Sequence, residues 1–554
     1  MQLNPKHQKI ADMLNGRLFR IPEYQRAYAW GPRQRQDLFH DIREAYRSGR
    51  EHFMATVVAL QRETREIDAT EFSAVELVDG QQRITTIIIL LKAIERALDA
   101  EDPKEEKLKR EIGDLLVKGD DHSLVLLQTN HDSSNIFAEY LRTGEINEGT
   151  AVTAADKNLV SAAHECEGFV DEWQGEASLI ELVSTVRNRL SMIYHEVADE
   201  ATVYRVFEVL NSRGLDVKWI DKLKSQLMSL LFEHSESGSR KEVVHEMHVM
   251  WQGIYRVLGQ RAGLGDEALR FAGTWVRPDR PNRIISEEDA SGALAEVAGT
   301  EIQTIAEAAV NLKGVVEAVH ALHENVRLRA VTRILHARFV AVAIVLRKFP
   351  AVTEADLLER WERVTFRVFG LAAADARNKV GEYVRLGYDI LNRRLSSDAI
   401  ASGLAELGTG FEIEHLLTWP NLWSDCYNGW TEEVRYLLYR YDEHLAREAG
   451  EKLNHSQWNK IWTADASKSI EHIRPQSNPV SYTHHLGNLT MLPPGVNSSL
   501  RDKRPEEKAA AYKSCGLRAT AEVGRAIEDG QRWDKAAVET RANQIEEFVR
   551  EEWK

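Results

Sequence analysis

The chain contains few cysteines, and the three that it has are far apart. Cys166, Cys426 and Cys515 are the only ones among 554 residues. Their spacing and odd number exclude a disulfide framework and a cysteine-ligated zinc site, and are typical of a reducing compartment. The first residues lack the apolar core of a secretion signal, and apolar runs such as 339–346 are far shorter than the ~20 residues that a membrane span needs. The sequence therefore predicts a cytoplasmic protein without membrane contact.

The chain also lacks a net positive charge and a P-loop. It has 71 lysines and arginines against 86 acidic residues, a formal net charge of −15. This balance argues against a protein that coats nucleic acid through general basicity. The basic residues are nevertheless clustered, because the first fifty residues are rich in arginine and a second basic stretch covers 501–518. No G-x-x-x-x-G-K-[ST] motif occurs, so a nucleotide site must be built in another way.

Length and composition indicate a folded protein of several domains. A chain of this length is expected to form roughly two to four domains. With 43% hydrophobic and 28% charged residues, disorder and collagen-like structure are excluded. Apolar residues recur at helical spacing through 241–395, whereas β-like segments occur in the first eighty residues and near residue 490. We therefore predict an α+β fold that is mainly helical.

The segment 469–508 carries more reactive side chains than any other part of the sequence. It reads SIEHIRPQSNPVSYTHHLGNLTMLPPGVNSSLRDKRPEEK. Glu471 and His472 end a β-compatible stretch, because Pro475 keeps the residue before it out of the helical region. A second β-like run follows, a Pro-Pro-Gly sequence breaks it, and Asn497 opens a basic segment that is able to form a helix. The predicted local order is strand, loop, strand, helix.

This segment supplies the groups that phosphodiester hydrolysis needs: ligands for a hard cation, a base for water and a residue that orients the base. Glu471 and Asn497 offer the oxygen ligands that Mg²⁺ or Mn²⁺ prefers. His472 is able to take a proton near neutral pH, since an ordinary histidine has a pKa of roughly 6.5. Asn488 remains to orient the base.

These residues resemble the HNH (ββα-metal) nuclease family, in particular the C-terminal domain of the GmrSD-type restriction endonucleases. That domain reads E-H-I-x-P-Q, then L-G-N-L, then an asparagine before a basic helix. The resemblance implies that Glu471 and Asn497 hold the metal. It makes His472 the general base and Asn488 the structural asparagine of the catalytic site. The basic residues around the motif become candidate DNA contacts, with a solvated surface as the alternative: Arg474, Arg501, Lys503, Arg504 and Lys508.

Two other groups of polar residues are interpreted as structural. Glu414 and His415 repeat the acid–base pair, but no Gly-Asn-Leu or Asn-Ser sequence follows them at a comparable distance. His245, His248 and Trp251 recur within one helical segment, but without a third ligand they are more typical of packing or surface positions than of a metal site. The middle of the chain therefore has no predicted catalytic set.

The first part of the chain contains a turn suited to binding phosphate. A strand-like run up to Val78 is followed by Asp-Gly-Gln-Gln-Arg at 79–83 and then by apolar residues at helical spacing. At such a helix N-terminus, unpaired N–H groups and the positive end of the helix dipole point outward. Gly80 permits close approach of the backbone, and Arg83 is able to contact phosphate with two hydrogen bonds.

The sequence IPEYQRAYAW at 21–30, followed by this turn, resembles the N-terminal domain of the same GmrSD family, whose fold is related to ParB and sulfiredoxin and which is implicated in nucleotide binding and hydrolysis. The block 207–216 resembles a third family motif, although its Asn-Ser-Arg-Gly sequence also fits a helix C-terminal cap. The resemblance implies a nucleotide pocket formed by Asp79, Gly80, Gln81, Gln82, Arg83, Tyr24, Gln25, Arg26, Asn211 and Arg213.

Together these resemblances imply three domains: a ParB/sulfiredoxin-like nucleotide-binding domain at 1–231, a helical connector at 232–404 and an HNH nuclease domain at 405–554. They imply a single-chain, modification-dependent (type IV) restriction endonuclease of bacterial anti-phage defence. It would use Mg²⁺ or Mn²⁺ and an NTP, and it would act on modified double-stranded DNA. The oligomeric state stays open, with a homo-oligomer as one option. Two alternatives also remain: a nucleotide-dependent ParB-like DNA-binding regulator with an inactive HNH remnant, and an NTPase switch acting through a protein partner.

Overall fold

The computed structural model describes residues 5–67, 70–117, 125–129, 134–198, 200, 202–203, 218–235, 240–419 and 421–554. Within these residues the fold is mainly helical with two β-sheets, which confirms the predicted α+β class. The chain forms two compact units, Met1–Val276 with Ile285–Glu317 and Arg277–Ile284 with Ala318–Lys554. The division into 1–231, 232–404 and 405–554 stays a prediction.

The first unit is built on a mixed six-stranded sheet. Its strands are β1 Lys6–Lys9, β2 Arg17–Ile21, β3 His52–Ile67, β4 Thr70–Asp79, β5 Leu127–Thr129 and β6 Leu190–Val197. Their order across the sheet is β1-β6-β3-β4-β2-β5. β3 runs antiparallel to β4 and parallel to β6, and β2 runs parallel to β4 and β5. The end of β4 therefore lies near the middle of the sheet, directly before the Asp-Gly-Gln-Gln-Arg turn.

In the first unit, the helices between residues 10 and 188 join this sheet in one hydrophobic core. The apolar face of the helix Gln81–Ala97, which includes Ile84, Ile88 and Leu91, is fully buried, so the helix predicted from apolar spacing is confirmed. The helices are α1 Ile10–Leu14, α2 Pro32–Ser48, α3 Gln81–Ala97, α4 Pro103–Leu116, α5 Ser134–Thr143, α6 Ala154–Gln174, α7 Leu179–Asn188, α8 Trp219–His234, α9 Arg240–Leu258, α10 Leu264–Val276, α11 Glu287–Ala298 and α12 Ile302–Glu324, the last of which continues into the second unit.

The second unit combines helices with one short two-stranded sheet, β7 Ile470–His472 and β8 Leu489–Met491. A π-helical turn at Phe366–Leu371 follows the helix Ala351–Thr365. In the described part of the chain, no helix is long and apolar enough to cross a membrane. The helices are α13 Arg329–Thr332, α14 Leu335–Leu346, α15 Ala351–Thr365, α16 Val380–Asn392, α17 Ser397–Leu407, α18 Ile413–Leu416, α19 Thr431–Glu448, α20 His455–Thr463, α21 Ala466–Ser469, α22 Pro494–Leu500, α23 Pro505–Ser514, α24 Arg518–Glu528 and α25 Lys535–Glu552.

Candidate functional site

The acid–base pair lies on the two-stranded sheet of the second unit. β7 runs antiparallel to β8, with Glu471 opposite Thr490 and His472 opposite Leu489. Helix α22 follows β8 after a short break. The predicted order of strand, loop, strand and helix is therefore confirmed, but the helix begins at Pro494 rather than at Asn497 and ends at Leu500, before the basic residues. Proline is tolerated in the first turn of a helix, so the Pro-Pro-Gly sequence starts this helix instead of only ending the strand. Because successive residues of a strand point to opposite faces, Glu471 and His472 have different surroundings.

The carboxylate of Glu471 is buried and already has two partners. Its Oε1 lies 2.6 Å from the Nζ of Lys508 and 2.6 Å from the phenol oxygen of Tyr512, which donates to it. Burial raises the pKa of Glu471, and Lys508 opposes this shift. Lys508 is itself buried and donates to the carbonyl of His472 at 2.8 Å. The structure thus places Lys508 inside the protein, so its contact with DNA stays a prediction that this position does not favour.

Asn497 is held beside the same strand by its amide nitrogen. Nδ2 donates to the carbonyl of Lys468 at 2.9 Å and to that of Ile470 at 3.2 Å, which leaves the Oδ1 acceptor outside these two bonds. The Oε2 of Glu471 is likewise outside the contacts with Lys508 and Tyr512. Among the described residues, no group of three or more His, Cys, Asp or Glu side chains is able to hold a metal. A cation here would depend on these two oxygens and on water.

His472 is a buried imidazole with a partner on each ring nitrogen. Nδ1 lies 2.9 Å from the Nε2 of Gln476, and Nε2 lies 3.0 Å from the Nδ1 of His484. The ring of Tyr427 packs edge-on against His472 at 4.7 Å and stacks on His484 at 5.4 Å. Burial, His484 and Lys508 together lower the pKa of His472 to about 3. The imidazole is therefore neutral at pH 7. Because the amide nitrogen of Gln476 is a donor, Nδ1 holds the lone pair, and Nε2 carries the proton that it donates to His484.

Asn488 holds the loop between β7 and β8 in place. Its buried Oδ1 accepts from the N–H of Arg474 at 2.9 Å and from the indole of Trp533 at 3.2 Å. Its Nδ2 donates to the carbonyls of Arg474 at 3.1 Å and Thr483 at 2.8 Å. None of these four bonds goes to His472. Asn488 thus fixes the loop that carries Gln476 and His484, and acts on the base only through that loop.

The other predicted DNA contacts differ in exposure. Arg501, Lys503 and Arg504 are exposed between α22 and α23. Arg474 is half-buried, and its Nη1 donates to the phenol oxygen of Tyr482 at 3.2 Å. The structure therefore leaves the three residues after α22 accessible to a phosphate backbone.

Sequence reasoning gave no role to Tyr427, His484 or Tyr512. His484 is one of two adjacent histidines in the segment 469–508, and only the folded loop shows that it is the one facing His472. Tyr427 and Tyr512 lie outside that segment. Tyr427 contacts His472 from the loop before α19, and Tyr512 contacts Glu471 from α23. No pattern in the sequence identifies either residue.

In the first unit, the Asp-Gly-Gln-Gln-Arg turn opens onto a cavity of about 580 Å³. Gln25, Arg26 and all five residues of 79–83 line this cavity. Tyr24 is not part of the lining, because its phenol donates to Glu76 at 3.3 Å and its ring stacks on His248. Asn211 and Arg213 lie outside the described residues. The structure thus brings seven of the ten predicted nucleotide-site residues together.

The turn itself has a conformation that requires glycine. Gly80 has φ +85°, and a Cβ there would lie 2.9 Å from the Cγ2 of Val57. Its N–H donates to the Oδ1 of Asp79 at 2.8 Å. The other oxygen of Asp79 and the Oε1 of Gln81 are buried without a hydrogen-bond partner among the described residues. Both residues line the cavity, yet these two oxygens are shielded from solvent, and burial raises the pKa of Asp79.

The remaining turn residues divide into a structural one and a cationic one. Gln82 accepts from the N–H of Ala29 at 2.7 Å and donates to the carbonyl of Ala27 at 3.2 Å, so it ties the preceding loop to α3. The guanidinium of Arg83 lies over the ring of Trp30 at 5.4 Å. Burial lowers the pKa of Arg83, while Asp79 opposes this shift. The cavity thus combines a cation with an aromatic ring.

The side of the cavity formed by α8 and α9 is also charged. Asp221 accepts from the phenol of Tyr255 at 2.6 Å, and its second oxygen lies 3.3 Å from the Nε of Arg26. Lys224, one turn further along α8, lines the same space. Cations from the loop before α2, the start of α3 and α8 therefore line one cavity. Its wall also carries the carboxylates of Asp37, Asp41, Asp79, Asp221, Asp266 and Glu287.

The site on β7 and β8 and the Asp-Gly-Gln-Gln-Arg turn lie within regions that match known protein domains, whereas Tyr255, Asp266 and Glu287 of the cavity lining lie outside them. Residues 10–228 match the N-terminal domain of the GmrSD restriction endonuclease, and residues 421–548 match the C-terminal domain of the GmrSD restriction endonucleases. No curated protein matches the chain. The two matched regions together cover more than half of the sequence, in the family's order from N-terminus to C-terminus. The chain therefore belongs to the GmrSD restriction endonuclease family, which consists of nucleases that act on DNA.

Proposed function

We propose that the chain is a modification-dependent DNA endonuclease of bacterial anti-phage defence. In this proposal, β7, β8 and α22 form an HNH nuclease site. The first unit is a ParB/sulfiredoxin-like domain whose cavity binds and hydrolyses an NTP and so gates cleavage. The observation that carries the proposal is the buried, neutral imidazole of His472 at the end of β7, fixed by Gln476 and His484. A neutral, oriented imidazole beside an exposed basic segment is suited to activate water at a phosphodiester.

His472 is the proposed general base. Both of its ring nitrogens already have partners, so water must replace one partner before it contacts the imidazole. Gln476 is exposed whereas His484 is half-buried, so Gln476 is the partner that substrate and water reach first, and its departure uncovers the lone pair of Nδ1. A base with a pKa near 3 is weak. The contact with His484 stays in place when Gln476 leaves, so the ring keeps its orientation while water reaches Nδ1.

The proposed metal ligands fit a hard cation in their chemistry. Glu471 Oε2 and Asn497 Oδ1 are oxygen donors outside the contacts that hold their side chains, and Mg²⁺ is commonly held by one or two protein oxygens plus water. When bound, Mg²⁺ or Mn²⁺ would neutralise charge that develops on the phosphate. The buried ammonium of Lys508 shares the Glu471 carboxylate, so a cation there is expected to bind weakly without DNA.

Other residues of the second unit are proposed to position the base and the DNA. Asn488 keeps the loop of His484 and Gln476 in one conformation through four hydrogen bonds. The exposed Arg501, Lys503 and Arg504 provide phosphate contacts next to α22. These contacts add affinity without reading sequence, because phosphates are the same at every base pair.

The nucleotide role rests on the contents of the cavity in the first unit. Asp79 and Gln81 line the cavity, and their unpartnered oxygens would accept from ligand hydroxyl or N–H groups once these side chains turn toward it. Arg83 offers a cation on the face of Trp30, and a volume of about 580 Å³ has the size of a small-molecule site. An NTP, which has both an aromatic base and a phosphate chain, suits this combination.

A second candidate function is a nucleotide-dependent DNA-binding regulator with an inactive HNH remnant. The ion pair between Glu471 and Lys508, with Tyr512 as a further donor, favours it. A carboxylate that is neutralised inside the protein has less need of a metal. The two functions separate on catalysis, because a regulator binds DNA equally well in EDTA and yields no cut product.

The test is a gel assay on three DNAs: unmodified plasmid, phage DNA with glucosylated hydroxymethylcytosine, and phosphorothioate-modified DNA. Each is incubated with Mg²⁺, Mn²⁺ or EDTA, with and without each of the four NTPs. Metal-dependent cleavage confined to a modified DNA, and altered by NTP, is the expected result. Binding of DNA without cleavage under every condition would instead establish the regulator.

A further inference from the structure

Lys224 is a buried lysine that the nuclease and the predicted nucleotide motif leave without a role. It lies on α8, is 2% exposed and lines the cavity of the first unit. Its Nζ donates to the carbonyl of Tyr24 at 2.7 Å. The ammonium also lies over two rings, that of Tyr24 at 4.7 Å and that of Tyr255 at 5.3 Å. It is thus held by aromatic faces and one carbonyl.

This ammonium lacks a bonded counter-ion in the described part of the chain. A lysine has three donors, and among the residues that the structure describes only the bond to Tyr24 satisfies one of them. Asp221 on the same helix, the carboxylate that acts on the pKa of Lys224, already pairs with Tyr255 and Arg26. A buried charge without a paired anion is costly. The cavity is the open side from which an anion is able to supply that charge.

The groups around Lys224 explain its protonation. On α8 it faces Asp221, on α9 it faces Tyr255 and His248, and the loop before α2 brings Tyr24 and the cation of Arg26. Burial lowers the pKa of Lys224 to about 7, and Asp221 opposes the shift. Burial likewise lowers the pKa of His248 to about 3, so His248 is neutral. Lys224 is therefore only partly charged at neutral pH.

We propose that Lys224, with Arg26 and Arg83, binds the phosphate chain of the nucleotide and takes up a proton from solvent as the phosphate binds. The proposal rests on the proposed nucleotide function of this cavity. Phosphate provides the missing anion, which favours the charged form of the lysine. Binding and protonation are then coupled, so the affinity for nucleotide falls by about tenfold per pH unit above neutrality.

The experiment is isothermal titration calorimetry of the full chain at pH 8 with each of the four NTPs and with inorganic tripolyphosphate. Two buffers of different ionisation enthalpy give the number of protons exchanged. The wild-type protein is expected to take up close to one proton per bound nucleotide. This measurement needs no variant, so a folding defect cannot obscure it.

Two variants and a control assign the proton to Lys224. Lys224→Arg, which stays charged, is expected to bind with a flat dependence on pH between 7 and 9, and Lys224→Met is expected to lose at least tenfold in affinity. Lys241→Met, an exposed position on α9, is expected to match wild type. If the wild-type protein binds nucleotide without proton uptake, or if Lys224→Met keeps the wild-type affinity, the role of Lys224 is overturned. The nucleotide function of the cavity would still stand. If no probe binds the wild-type protein at any pH, the nucleotide function falls with it.

Discussion

The imidazoles of His472 and His484 lie within hydrogen-bond distance, with Nε2 of the first 3.0 Å from Nδ1 of the second. Tyr427 contacts both rings, edge-on to His472 and stacked on His484. On its other nitrogen His472 contacts Gln476. The orientation of the proposed base is therefore set by residues of the loop that Asn488 closes.

Replacement of His484 tests this arrangement. His484→Ala is expected to lower the cleavage rate by about 10-fold to 100-fold, because the His472 ring loses the partner that fixes it. Since His484 also lowers the pKa of His472, the variant is expected to raise that pKa, which NMR titration measures. His485→Ala is the control, as His485 caps the turn at Gly487 and is not a partner of His472. Equal losses in both variants would show that the pair has no special role.

The ion pair of Glu471 and Lys508 is expected to stabilise the second unit. Lys508→Met leaves a buried carboxylate without its cation, so the free energy of unfolding, measured by urea denaturation, should fall by about 3–5 kcal/mol. The double variant with Glu471→Gln should recover part of this loss, because the unpaired charge is gone. Lys503→Met, at an exposed position, should change stability by no more than about 0.5 kcal/mol. A stable Lys508→Met protein would contradict the buried pair.

His336 gives the second unit a defined sensitivity to acid. It packs edge-on against Phe369 and Tyr383, its Nε2 has no hydrogen-bond partner among the described residues, and burial lowers its pKa to about 4. Between this value and the ordinary pKa of roughly 6.5, the unfolded chain binds a proton that the folded protein does not. Stability therefore falls as the pH drops through this window.

The slope of this loss is at most about 1.4 kcal/mol per pH unit for one histidine. His336→Leu removes the titrating group, so urea unfolding at pH 6.5 and pH 4.5 should show a smaller loss of stability than in wild type. His415→Leu, at an exposed position, should keep the wild-type loss. If all three proteins lose the same stability, His336 is not a source of the acid sensitivity.

Two glycines of the first unit separate backbone strain from steric conflict. Gly80 and Gly16 both have positive φ, but a Cβ at Gly80 would lie 2.9 Å from Val57, whereas one at Gly16 would meet nothing within 4 Å. Gly16→Ala should cost about 1–2 kcal/mol, and Gly80→Ala about 1–3 kcal/mol more. Only Gly80→Ala should also weaken NTP binding, measured by calorimetry. Equal stabilities of the two variants would contradict the described turn.

Local structure was predictable from local sequence, and long-range partners were not. The apolar spacing after Arg83 predicted α3, and Pro475 with the Pro-Pro-Gly sequence predicted the order of β7, β8 and α22. By contrast, Tyr512 reaches Glu471 from 41 residues further along the chain. Lys508 belongs to a basic stretch, and only the packing of α23 shows that its side chain turns inward. Charge pattern gives the position of a basic residue, but tertiary packing decides which partner it meets.

The central claim is that His472 carries out DNA cleavage, and a matched pair of variants tests it most directly. The chain has a second Glu-His pair, Glu414 and His415, and His415 is exposed. Single-turnover cleavage of a DNA that wild type cuts should fall by about 10²–10⁴-fold in His472→Ala, while His415→Ala keeps the wild-type rate and DNA binding is unchanged in both. Undiminished cleavage by His472→Ala would contradict the account.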